Sequence, residues 1–174
     1  MSKVSLKEIL HPEMDILFLA LNPPVNSNSN GHYFSNNLSF WNLLFNSGLI
    51  TQPVTSRLTG DEEVFRNNDI NHKNSVYGIT DLVHDVVETN SHKVRPDAAR
   101  VRSILNILNI RKVSTLALMH SAVAKAFQIE GLIKRNPGYG IVGKYKSTVI
   151  YEVPFHNASI ACKETYYKLL KNTL

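Results

Sequence analysis

Four short runs, residues 14–21, 76–80, 114–119 and 147–153, are almost wholly apolar and stand well apart along the chain. A strand with one wet face alternates apolar with polar residues, so unbroken apolar runs of this length fit strands covered on both faces. Helical segments fall between and after them, at 40–47, weakly at 61–68, and at 96–108, 121–129 and 162–170. The segment 96–108 is the best marked. Ala98, Val101, Ile104, Leu105 and Leu108 keep the three-and-four spacing of a core-facing stripe, and Pro96 and Asp97 stand where helix starts favour them. Strands alternating with helices predict an α/β chain. The expected architecture is a single three-layer domain over residues 1–174, with a short, mainly parallel four-stranded sheet flanked by helices. At 174 residues the chain is long enough for one well-buried core and short for two.

Lys and Arg number 19 against 14 acidic residues, a net charge of +5, which favours an anionic partner, nucleic acid first. The single cysteine, Cys162, excludes an internal disulfide framework and a four-cysteine metal cluster within one chain. No basic start leads into an apolar leader, and no apolar run approaches the roughly 18 residues needed to span a bilayer. The expectation is an intracellular, cytoplasmic monomer without a membrane partner. His11, His32, His72, His84 and His92 show no metal-ligand spacing, so no metal is expected.

The chemistry concentrates where the strands should end. The first run stops at Asn22-Pro23-Pro24. Proline fixes φ, lacks an N–H and biases the preceding residue toward extended geometry, so Asn22 is presented at a strand tip rather than beginning a helix. A polar Asn/Ser/Gly loop is expected over 25–37, with Tyr33-Phe34 near its end, before Phe40-Trp41 open the next helix. The second run ends at Gly78-Ile79-Thr80-Asp81, the third at His120-Ser121, and the last at Pro154-Phe155-His156-Asn157-Ala158-Ser159. In a parallel sheet these tips converge on one edge, where ligands of α/β proteins bind. Thr80 and Asp81 are expected to hold a strand-end turn. His120-Ser121 are expected to cap a helix whose amide-rich start can also hold a phosphate. Asn22 with a nearby His can orient a water and hydrogen-bond a departing anion. Neither is a nucleophile, which points to hydrolysis by positioning and electrostatics.

These residues carry a resemblance. Asn22-Pro23, the polar loop, Gly31-His32-Tyr33-Phe34 and Phe40-Trp41 resemble the first motif and following helix of the uracil-DNA glycosylase superfamily, nearest its mismatch-specific thymine/uracil branch. Tyr77-Gly78-Ile79-Thr80-Asp81-Leu82-Val83 is similar to that branch's Gly-Val-Thr-x-Leu-Val segment. His156-Asn157-Ala158-Ser159-Ile160 lines up with the superfamily's second motif, commonly His-Pro-Ser-Pro-Leu. The three matches run in order from about residue 14 to the end. Pro24 stands where the mismatch branch usually has Gly and the classical uracil enzymes have Tyr, and the second motif has lost both prolines.

The resemblance implies a superfamily-like fold and hydrolysis of the N-glycosidic bond of a damaged base flipped out of DNA, without metal or cofactor. Asn22 and His156 are then catalytic, Asn22 positioning the attacking water and His156 stabilising the anionic base. Pro24, Phe34 and Thr80 form the base site, with Phe34 stacking on the base. His120, Ser121, Asn157, Ser159 and Ile160 face DNA, Ile160 as an apolar wedge. Two other readings stay open: a superfamily-like nucleic-acid-binding protein that does not cleave, and an α/β enzyme acting on free nucleosides or nucleotides. The latter needs a phosphate cradle with several glycines, and the chain's glycines form none; Asn136-Pro137-Gly138-Tyr139-Gly140 reads as a surface loop.

Overall fold

The computed structural model describes residues 3–135 and 138–174. Its first strand, β1 (Glu13–Ala20), is paired in parallel with β2 (Tyr77–Asp81) on one side and β3 (Lys112–Leu118) on the other. Ile16, Leu17, Phe18 and Leu19 have no exposed surface, which is what an apolar run without polar alternation requires. Ile16 and Phe18 join one core with Trp41, Leu44, Tyr77, Ile79, Tyr167 and Leu170. Leu17 and Leu19 join a second core with Val101, Ile104, Leu108, Leu116, Val123, Phe127 and Ile150. The first core is roofed by α2 (Ser39–Ser47) and α5 (Ile160–Lys171), the second by α3 (Ala98–Ile110) and α4 (Ser121–Ile129). The result is an α/β architecture with helices on both faces of one sheet.

That sheet has five strands, not the four expected. Its order is β2-β1-β3-β5-β4, with β5 (Thr148–Glu152) parallel to β3 and β4 (Gly140–Tyr145) antiparallel to β5 at the edge. Sequence periodicity misses β4 because an edge strand interrupted by Gly140 and Gly143, with Ile141 exposed, carries no continuous apolar signal. A bulge separates Ile141 from Gly143, and a Cβ on Gly143 would run into the carbonyl of Leu132. Gly140 therefore belongs to a strand rather than to the surface loop expected over 136–140, of which Asn136 and Pro137 lie outside the described residues.

Two other expectations change. The loop expected over 25–37 begins as a short helix, α1 (Val25–Asn30), which closes on Gly31 at φ 73°. Pro24 stands at its N-cap position with extended geometry, so the second proline starts a helix two residues beyond Asn22. The weak helix at 61–68 is one π-helical turn, Glu62–Arg66, led by Asp61, whose carboxylate accepts from Glu62 N–H. Both cap assignments read from sequence have geometric counterparts: Asp97 accepts from Arg100 N–H at 3.1 Å, and His120 Nδ1 accepts from Ala122 N–H at 3.0 Å. No helix among the described residues is long and apolar enough to cross a membrane.

Trp41 ties this scaffold to the loop above the sheet. It is fully buried, and its Nε1 donates to the carbonyl of Phe34 at 3.1 Å. Gly60 lies against the indole so closely that a Cβ would enter the ring. Gly60→Ala should therefore destabilise the fold by about 1–3 kcal/mol, the usual cost of forcing atoms into a packed core. Urea unfolding checks this, and an unchanged midpoint would show that the indole yields without penalty.

Candidate functional site

Strand order decides where a site can form. The chain leaves β1 toward the face roofed by α2 and leaves β3 toward the opposite face through α4, although β1 and β3 are neighbours. Adjacent strands whose connections depart in opposite directions leave a crevice outside their carboxyl ends, the usual ligand position in open α/β sheets. Asn22 follows β1 and His120 follows β3, so these two residues flank that crevice. Thr80 and Asp81 end β2 on one side, and the loop carrying His156 follows β5 on the other.

Asn22 is held from one end only. Its Nδ2 donates to the carbonyls of Pro23 at 3.2 Å, Val86 at 3.0 Å and Glu88 at 2.8 Å. Three surrounding carbonyls leave no ambiguity about which end is nitrogen, since an oxygen there would face only acceptors. Oδ1 takes no hydrogen bond from the described residues and is not buried. The cradle is built by the chain beyond β2, which continues beside β1 through Leu82 N–H to Ala20 and Val83 N–H to Leu21 before Glu88 N–H reaches Pro23. A side-chain amide gripped this way presents a fixed acceptor at the crevice.

His156 meets His120 rather than standing alone. Their rings lie 6.0 Å apart and nearly parallel, with 22° between planes. Burial holds the His120 imidazole below its ordinary pKa, and positive charge on His156 and His92 adds to this. His156 itself is exposed, and its backbone carbonyl accepts from Lys163 Nζ at 2.7 Å. Ser159 caps α5 by accepting from Cys162 N–H, while Asn157 and Ser121 are exposed at the same edge. Ile160, the first residue of α5, is 72% exposed, so the core role open to an isoleucine there is excluded.

The residues expected around a base are already partly engaged. Phe34 has φ 49°, a left-handed conformation unusual for a bulky residue, and stacks on Phe40 with centroids 3.9 Å apart. One face of the ring is therefore covered. Thr80 is buried and donates to Glu8 Oε2 at 2.6 Å, and Pro24 is exposed at the start of α1.

Asp81, expected to hold a strand-end turn, is instead the last, buried residue of β2 and forms the acidic side of the site. A cavity of about 350 Å3 opens beside the β2 tip, between the amino-terminal segment and the sheet, lined by Leu6, Glu8, Tyr33, Thr80, Asp81 and His84 among others. Asp81 is 4% exposed and accepts from Tyr33 Oη at 3.1 Å. Burial pushes its carboxyl up to about 7, against the hydrogen bond from Tyr33, with the nearby Glu8 charge raising it further. Burial above all, then the Asp81 charge, also raises the Tyr33 phenol, so that hydroxyl remains the donor. Nearby, buried Asp61 accepts from Tyr33 N–H at 3.1 Å and from His32 Nδ1 at 3.0 Å. The signal in the sequence was only an acidic residue directly after an apolar run. The partners Glu8 and Tyr33 are remote in the chain and meet Asp81 through the antiparallel bridge of Ile9 to Ile79 and the turn after α1.

No known protein-family model matches the chain, and no curated protein is significantly similar to it.

The Asp81 carboxyl makes stability depend on pH. A carboxyl group whose folded-state pKa lies above its unfolded value stabilises the fold while protonated, and that contribution disappears as pH rises toward the folded value. Wild type should therefore lose a few kcal/mol between pH 4 and 7 relative to Asp81→Asn, which keeps an acceptor for Tyr33 but does not titrate. Urea midpoints of both proteins across that range measure it. A constant difference would mean that Asp81 is ionised throughout.

Proposed function

We propose that this protein is a DNA glycosylase resembling the uracil-DNA glycosylase superfamily, acting as a monomer on uracil or a related deaminated or mismatched base extruded from DNA. The observation that carries this reading is Asn22, an amide fixed by three backbone carbonyls with its oxygen left to accept from solvent at the crevice. A water donating to that oxygen has its lone pair directed away from Asn22, toward the anomeric carbon of a nucleotide lodged in the crevice. No strong base is needed if the C–N bond breaks ahead of water attack, because the cationic sugar is then the electrophile. The electrons of that bond leave with the base, and His156 hydrogen-bonds the resulting anion. The water proton passes to solvent as the new C–O bond forms.

Three further features support the reading. The tips of β1, β2 and β5, where the three sequence motifs fall, share one sheet edge. The net charge of +5 suits a polyanion. The exposed Ile160 at the start of α5 is available to enter a base stack, a role in which apolar side chains fill the vacated space.

The direct experiment incubates the protein with duplexes carrying one uracil, hypoxanthine or thymine opposite guanine and follows abasic-site formation. Asn22→Ala should fold normally and lose on the order of a hundredfold or more in single-turnover rate, as expected for a lost positioning group. Near wild-type excision by that variant would overturn the assignment. Binding without any abasic product from wild type would favour a non-cleaving DNA-binding protein instead.

Ile160→Ala should reduce excision from fully paired duplex more than from single strands or weak mismatches, because flipping is costliest where the base is well held. Since the side chain is exposed, the melting temperature should hardly change. Equal losses on every substrate would remove the wedge role.

A further inference from the structure

His156 has no ring hydrogen bond to any described residue, and the residues after it, Asn157 and Ser159, lack the stiffness of proline. Its ring is nevertheless the end of a series of neighbouring rings. Glu152 ends β5 and is 1% exposed, and its carboxylate accepts from Arg135 Nη2 at 2.9 Å and from Nε at 3.2 Å to each oxygen. A buried carboxylate requires its cation, so this forked pair fixes the guanidinium plane. That guanidinium lies 5.8 Å from the centre of the Phe155 ring. Phe155 is set edge-on against Tyr139 at 5.6 Å and lies 6.4 Å from His120, whose ring is nearly parallel to that of His156 at 6.0 Å.

We propose that the Arg135–Glu152 pair acts through Phe155 and His120 to position the His156 imidazole, which makes Arg135 and Phe155 positioning residues for the departing base. This rests on the reading of His156 as the group that stabilises that base. The pair is anchored where β5 ends, so its position is set by the sheet, and the series of rings carries that position outward to an exposed loop. Stiffness that proline would supply through the backbone is supplied here through side chains. The groups facing His120 are His156, His92, Phe155 and the Ala122 N–H on its Nδ1, and electrostatic coupling between the two histidines reports their separation.

The test is a coupling measurement by imidazole NMR titration. In the wild-type background, His156→Gln should raise the His120 titration midpoint by a few tenths of a pH unit, because a positive neighbour is removed. Phe155→Leu leaves the ion pair intact, and Arg135→Lys keeps a charge for Glu152 without the planar fork. In both backgrounds the effect of His156→Gln on His120 should vanish, whereas Phe155→Tyr, which keeps the aromatic ring, should preserve it. General loosening shifts His120 itself but does not abolish its response to His156 selectively. In parallel, both positioning variants should slow single-turnover excision about tenfold with duplex affinity within twofold, the pattern of a group that acts in the transition state. Unchanged coupling in either background overturns the proposal, as does a rate loss matched by lost affinity, which would make Arg135 a phosphate contact. Loss of coupling in a protein whose wild type excises no base would instead overturn the proposed function and leave the positioning intact.

Discussion

The double burial of β1 is the constraint from which the rest follows. Its middle residues are covered on both faces and paired on both edges, so this strand can shift neither in register nor in depth without exposing one core or the other. Asn22 lies two residues beyond its end. The amide therefore inherits the rigidity of the most constrained segment in the molecule, and the prolines after it prevent that segment from relaxing into a helix too early. A side-chain amide on such a tip is held far more firmly than one on a surface loop would be.

Around that tip the protein buries charge, and each buried carboxylate has a dedicated partner. Asp61 is met by His32 and the backbone of Tyr33, Glu152 by the fork of Arg135, and Asp81 by the phenol of Tyr33. The three solutions differ in strength. A guanidinium neutralises its carboxylate, whereas a phenol only donates to it, so at Asp81 burial outweighs the hydrogen bond and pushes the carboxyl toward its protonated form. Polar burial of this kind costs stability relative to an apolar core, and it is concentrated at the carboxyl edge of the sheet and the loops above it. Elsewhere both faces of the sheet are filled mainly by aliphatic and aromatic side chains, with Thr115 and Thr148 the buried polar residues of β3 and β5.

The aromatic loop above β1 shows how local strain can be stabilised by tertiary contacts. Phe34 adopts a left-handed backbone that its side chain disfavours. Trp41 holds its carbonyl, Phe40 covers its ring, and Gly60 leaves room for the indole that makes this possible. The ring is thus presented by a rigid aromatic group, although one of its faces is spent on that support.

What the sequence determined by itself was the set of strands buried on both sides, the helices with clear apolar stripes and caps, and the residues standing at strand ends. Those features are local, because an apolar run, a proline pair or an Asp before a helix acts through its own neighbours. The sequence could not show β4, where Gly143 makes room for the Leu132 carbonyl, nor that the polar loop begins as a helix. It could not show the partners of Asp81, the cradle around the Asn22 amide, or the series of neighbours from Arg135 to His156. Those depend on side chains tens of residues apart, brought together by strand order. Tertiary structure also decided the exposure of Ile160, where helical spacing alone allowed a buried residue and the fold left it in solvent. Periodicity fixes which way a side chain points relative to its own element, and only packing decides whether anything lies there to meet it.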